Sequence, residues 1–230
     1  MQTPIANATE IPLMESAVRF FQQGGLFMVP IALILLIGLA IVLERMIYLQ
    51  VARRRNRRLF ESGLWPLLQK GEFQKASKAA RESGVEVGEM VAAGLARFRN
   101  SQSRSDVEYA MEEGLMEVLP RFEKRTPYLA TLANVATLLG LLGTIMGLIS
   151  AFTAVAEADP ADKASMLSDS ISVAMNTTAF GLMSAIPLLL AHAYLQTRTN
   201  EMIDSLEMAG VKLLNLISET QAGSTARSEG

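Results

Sequence analysis

The sequence predicts an all-α membrane protein with three transmembrane helices, two of them long and extending into a cytoplasmic helical bundle. Half of the 230 residues are apolar and only 19% are charged. The apolar residues are gathered into three blocks: an 18-residue run over 26–43, 31 residues without a charge over 126–156, and 28 over 170–197. A run of about 18 or more apolar residues is long enough to cross a bilayer. As helices, the two longer blocks reach about 42–46 Å, well past a hydrocarbon layer of roughly 30 Å, so they protrude. That distribution excludes a soluble enzyme. A net charge of −2 argues against a nucleic-acid partner, and the absence of cysteine removes disulfides, thiol chemistry and thiolate metal sites.

Residues 1–25 lack a basic start, carry Glu10 and Glu15, and show no small-residue cleavage pattern. They read as a retained periplasmic segment rather than a cleaved signal. The first span, 26–43, is bulky nearly all round, with only Ala32, Gly38 and Ala40 small, as suits a helix facing lipid. Residues 44–125 carry 16 Lys/Arg against 12 Asp/Glu, and Arg53, Arg54, Arg55, Arg57 and Arg58 lie close behind the first span. Basic residues near span ends mark the cytoplasmic side. The N-terminus is therefore periplasmic and 44–125 is a cytoplasmic domain. The arginines serve as a topology signal on a solvated helix end, or as a contact for anionic lipid worth about 1 kcal/mol per residue.

Within that domain, Ser105-Asp106-Val107-Glu108 has capping-box spacing, and Val107, Met111, Leu115, Val118 and Phe122 follow at helical intervals. Gly63, Gly71, Gly84, Gly88 and Gly94 divide shorter helices before it. The second span is 126–156. The connection 157–169, with one Lys against four acids, is periplasmic, and the third span is 170–197. Met202, Leu206, Ala209, Leu213 and Leu216 continue the helix into the cytoplasm over 198–218, and the small polar residues 219–230 form a disordered tail.

The second span places Ala133, Ala136, Gly140, Gly143, Gly147, Ser150 and Ala154 at alternating intervals of three and four, with Thr137, Thr144 and Ala151 beside them, which is one helix stripe. The third repeats the device with Ala174, Thr177, Thr178, Gly181, Ser184 and Ala185. Small residues let helices approach closely in lipid, so Gly140, Gly143, Gly147 and Gly181, with Pro187 beyond them, are candidate packing residues. The stripes are either packing seams, with threonines bonding to their own helix, or the wall of a cavity filled by another helix or by water. No Asp, Glu, Lys or Arg lies inside a span, although proton relays use such groups. His192 sits near the cytoplasmic end of the third span. A Ser184–His192 dyad fails, because eight helical residues separate them by about 12 Å. No metal-ligand spacing, paired-carboxylate set or phosphate loop occurs, so no cofactor is expected.

Three segments carry a resemblance. Gly-Gly-Leu-Phe-Met-Val-Pro at 24–30, followed by Glu44-Arg45, is similar to the start of the MotA/TolQ/ExbB family. Leu-Leu-Gly-Leu-Leu-Gly-Thr-Ile-Met-Gly-Leu-Ile at 138–149 resembles its second-span signature, and Asn-Thr-Thr-Ala-Phe-Gly-Leu-Met-Ser-Ala-Ile-Pro at 176–187 its third. Three spans with one large cytoplasmic loop fit the ExbB/TolQ-like branch. The resemblance implies a stator or channel subunit of a proton-motive-force-driven motor in the bacterial inner membrane. It implies a homopentamer around the membrane helices of two ExbD/TolR-like single-span subunits that bring a transmembrane Asp, with a TonB- or TolA-like protein downstream. By motif position Thr144 and Thr178 face that aspartate, with Thr177 and Asn176 as further polar contacts. ExbB and TolQ usually carry a glutamate five residues before the third-span threonine. Here that position is Val173, with Asp169 one turn earlier as a substitute. A non-conducting scaffold for a periplasmic or secretion assembly is the alternative function.

Overall fold

The computed structural model describes residues 20, 24–101 and 103–228, with side chains described as far as Gln221. The elements in order are α1 (Met28–Arg58), a π-helical turn (Leu59–Leu64), α2 (Trp65–Gln69), α3 (Phe73–Glu82), α4 (Glu86–Ser101), α5 (Arg104–Glu123), α6 (Thr126–Glu157) and α7 (Lys163–Ser228). No strand occurs among the described residues. Three helical stretches are long and apolar enough to cross a membrane: Met28–Gln69, Arg104–Glu157 and Lys163–Gln221. Only 17%, 22% and 33% of their most apolar windows is buried within the chain. Leu33, Leu36, Leu138, Ile149 and Met183 are among the large apolar side chains left exposed, and lipid or other subunits must cover them.

The described residues form two units. In the first, comprising residues up to Ala40 and Tyr128–Ala191, the small stripes meet. A Cβ on Gly181 would lie 2.8 Å from the Ala136 carbonyl oxygen and 3.0 Å from Gly140 Cα, so α6 and α7 touch backbone to backbone there. Gly143 and Gly147 extend the contact onto Thr177 and Ala174. Ala133, Ala136, Ala151, Ala174 and Ala185 along the same stripes are buried. α1 packs against α7 where Leu188 fills the space beside Gly38.

The second unit takes Ile41–Pro127 and His192–Gly230. Its core is formed by Met90, Val91 and Leu95 of α4, Val107, Met111, Val118 and Phe122 of α5, and Leu206, Leu213 and Ile217 of α7. The π-helical turn precedes Pro66, which lacks an N–H and crowds the carbonyl four residues earlier; a widened turn accommodates both defects. Gly71 and Gly84, with φ of +73° and +57°, close α2 and α3. Gly88 and Gly94 instead lie inside α4, where the sequence predicts breaks.

The capping box does not form. α5 begins one residue before Ser105, with Ser103 at its N-cap position and no side-chain cap bond, and Asp106 accepts from the Ser101 hydroxyl. α7 starts at Lys163 and stays helical to Ser228, through most of the expected disordered tail. No proline interrupts 219–228, and a lone Gly223 costs a helix only about 1 kcal/mol.

Gly181→Leu should separate α6 from α7, because the clash is with backbone that cannot rotate away. Overpacking of this kind costs about 1–3 kcal/mol or more. Thermal unfolding in detergent should show a lower midpoint, and an unchanged midpoint would refute the close seam.

Candidate functional site

The hydroxyls of the seam do different things. Thr178 Oγ1 leaves its own helix and donates to the Gly140 carbonyl at 2.7 Å, tying α7 to α6 where the backbones touch. Thr177 is 1% exposed. Its hydroxyl lies 2.6 Å from the Gly24 carbonyl and 2.8 Å from that of Val173, and one proton serves both acceptors. Gly24 lies in the turn that leads into α1, where Gly25 has φ +71° and a Cβ would sit 3.1 Å from Val173 Cγ1. Val173 is thus a packing contact at the head of the seam, while Asp169 one turn earlier is exposed.

Thr144 bonds within its own helix, donating to the Leu141 carbonyl at 2.6 Å. It is half-buried, and Leu141, Ile145 and Leu148 beside it are exposed. A hydroxyl that donates to a carbonyl keeps acceptor capacity. Asn176 is half-buried on α7. Of the four candidate pathway residues, Thr177 and Thr178 are therefore bound into packing, whereas Thr144 has an open side. Ser184 is fully buried with no hydrogen-bond partner among the described residues, and His192 is half-buried. Pro187 is exposed within the chain, so unlike Gly140, Gly143, Gly147 and Gly181 it takes no part in the intrachain seam. No group of three or more potential metal-ligating side chains occurs among the described residues.

In the second unit the arginines divide. Arg53 pairs with Glu201 at 3.1 Å, and Arg57 with Glu61 at 3.0 Å. Arg54, Arg55 and Arg58 are exposed and form no ion pair among the described residues. Exposed pairs of this kind are worth little, about 0–1 kcal/mol.

A buried polar cluster beside them escapes the sequence reading. Arg45, Leu49, Ala52 and Asn56 fall at 4-3-4 spacing on α1, and all four are buried. The Arg45 guanidinium donates to the carbonyls of Phe122 and, at 3.3 Å, Arg121, in the last turn of α5, where a cation offsets the negative end of the helix dipole. It also sits 4.6 Å from the Tyr48 ring centroid. Burial lowers the Arg45 pKa, while Tyr48 and Glu44 oppose that shift. Glu44 pairs with Arg125, the non-glycine residue with φ +66° that turns α5 into α6. Asn56 accepts from the Val87 N–H at 2.7 Å and donates to Glu86 at 2.8 Å, capping α4 from a remote helix. Tyr48 donates to the same Glu86 at 3.2 Å, and its own pKa is raised by burial and then by that carboxylate. The available signal was a polar residue recurring on the buried side of the helix, hidden by the surrounding arginines.

Residues 83–208 match the family described as the MotA/TolQ/ExbB proton channel family. Among similar proteins, a biopolymer transport protein ExbB homolog of Methanothermobacter thermautotrophicus is 29% identical over 195 residues, covering 84% of this chain and 67% of the relative. The Tol-Pal system protein TolQ of Haemophilus influenzae is 29% identical over 174 residues, covering 72% of this chain and 75% of its own.

Asn56→Ala should destabilise the second unit by about 1–2 kcal/mol, the usual loss for a helix cap. Asn56→Asp should do worse despite keeping the acceptor for Val87, because it sets a second carboxylate against Glu86. Denaturant unfolding followed by circular dichroism measures both, and equal stability of Asn56→Asp and the parent would contradict the assigned bonds.

Proposed function

The chain belongs to the MotA/TolQ/ExbB proton channel family, and from that premise we propose that it is the stator subunit of a proton-motive-force-driven motor of the ExbB/TolQ-like kind. In this reading it is a multi-pass protein of the bacterial inner membrane, with the N-terminus periplasmic and the C-terminus cytoplasmic. Arg53, Arg54, Arg55, Arg57 and Arg58 set that orientation. Copies form a ring, a pentamer by family resemblance, around the membrane helices of two ExbD/TolR-like subunits. A TonB- or TolA-like protein carries the work across the periplasm.

One observation carries this reading: the spans hold hydroxyls but no Asp, Glu, Lys or Arg, and Thr144 keeps an open side among exposed apolar residues. A moving proton needs a group that titrates. The partner's aspartate supplies it; the Thr144 hydroxyl accepts from that carboxyl while it is protonated, and turns its O–H from the Leu141 carbonyl to donate to it once charged. Thr178 and Thr177 hold the wall against which it moves, and Asn176 adds a second polar contact. One charge crossing 100 mV releases about 2.3 kcal/mol, so useful work requires repeated steps at equivalent sites, as a ring provides.

Thr144→Val combined with Thr178→Val should abolish energy-dependent function while the oligomer persists. Thr144→Val alone separates the roles, because it breaks no bond between helices. It should lower proton-driven function by roughly tenfold or more, and Thr144→Ser should restore it. Full function in Thr144→Val would remove this hydroxyl from the pathway. Retained assembly of a periplasmic complex after collapse of the membrane potential, with no loss of function, would instead favour the passive scaffold.

A further inference from the structure

In the second unit α5 and α7 border a groove of about 330 Å³. Met111, Leu115 and Val211 give it an apolar lining, and Glu108, Glu112 and Glu207 add three carboxylates. No lysine or arginine lines it, and none of the three carboxylates is in an ion pair among the described residues. The same unit carries the reverse defect, since Arg54, Arg55 and Arg58 stand exposed and form no ion pair among the described residues. An arginine has an apolar stem and a planar cationic head, so it suits an apolar groove edged with carboxylates.

The heights agree as well. Arg54 and Arg58 lie 11 and 15 helical residues beyond the end of the first span at 43, or about 16 and 22 Å. Glu207 and Val211 lie 10 and 14 residues beyond the end of the third span at 197, or about 15 and 21 Å. Neighbouring copies in one bilayer share a level, so only patches at matching heights can meet side by side. The headgroup layer extends only about 5–8 Å past the hydrocarbon, which leaves these arginines beyond lipid.

We propose that the acid-lined groove of one copy receives Arg54, Arg55 and Arg58 of the next. The contact is heterologous, because the groove of one copy meets a different patch, the arginines, on the next. Repeated contacts of this type close into a ring when the rotation permits. The inference rests on the oligomer proposed above and names the faces that meet.

The cysteine-free chain makes the test direct. Full-length protein carrying Arg55→Cys and Glu207→Cys, treated in membranes with a short bifunctional maleimide, should give a ladder of covalent multimers on a denaturing gel. Mixing the two single variants should give dimers only, and either alone should give none. Reversing the arginines (Arg54→Glu, Arg55→Glu, Arg58→Glu) in the cysteine-free parent, with the native mass as readout, should lower the oligomer fraction by about tenfold. Reversing the carboxylates (Glu108→Lys, Glu112→Lys, Glu207→Lys) should do the same, and combining both sets should restore it. An intact oligomer with no cross-links and no response to reversal overturns this contact while leaving the ring reading standing. A monomeric parent overturns both. Loss of bound anionic lipid on arginine reversal, without cross-links, would assign the arginines to lipid and overturn the contact.

Discussion

Backbone contact between α6 and α7 at Gly140 and Gly181 is the constraint on which the membrane-embedded part of this protein depends. In lipid, the hydrophobic effect does not drive helix against helix, so dispersion and hydrogen bonds at short range must do so. Both require that no side chain intervene. Gly140 and Gly181 remove the obstruction from both helices at the same level, and the Gly140 carbonyl then comes within 2.7 Å of the Thr178 hydroxyl. The carbonyl already closes its helix ladder, and its second lone pair takes the interhelical bond. Close approach and polar bond are therefore one feature.

The same geometry explains why adjacent threonines on α7, and Thr144 on α6, are held differently. Thr177 lies one position from Thr178, about 100° around the helix, and so faces the Gly24 turn and Gly143 instead of Gly140. Its burial leaves no room for a second task. Thr144 lies four residues beyond Gly140 on α6 but on the flank of the contact, where its hydroxyl satisfies itself against Leu141 and remains reachable. Position relative to the seam, rather than residue type, separates the threonines bound into packing from the one left reachable.

The fold class was readable because long uncharged blocks have few structural alternatives: 126–156 and the observed α6, Thr126–Glu157, nearly coincide. Periodicity of 3.6 likewise identified the buried faces of α5 and α7, down to Val107, Met111, Val118 and Phe122. The glycines were harder. Gly71 and Gly84 end helices through positive φ, whereas Gly88 and Gly94 sit within α4 to admit a neighbour, and composition does not distinguish the two uses. The capping box failed because Ser105-Asp106-Val107-Glu108 fits a cap only if the helix starts after Ser105, and α5 starts earlier. The Arg45–Asn56 cluster was unreadable for another reason. Its bonds reach α5 and α4 across 77 and 31 residues, and nothing local in α1 announces such acceptors.

The energies of the hydroxyl contacts bear on how a stator of this kind works. An interhelical hydrogen bond in a membrane is worth about 0.6 kcal/mol on average and up to roughly 1.7. A charge crossing 100 mV releases about 2.3 kcal/mol, more than any one such bond. In the motor proposed above, a bond of this size is strong enough to bias one position of a passing carboxylate and weak enough for each transit to break. A lysine or aspartate fixed in the wall would form a pair of several kcal/mol with a mobile charge and hold it. Spans furnished with hydroxyls, and with no Asp, Glu, Lys or Arg, therefore suit repeated release better than they suit tight binding.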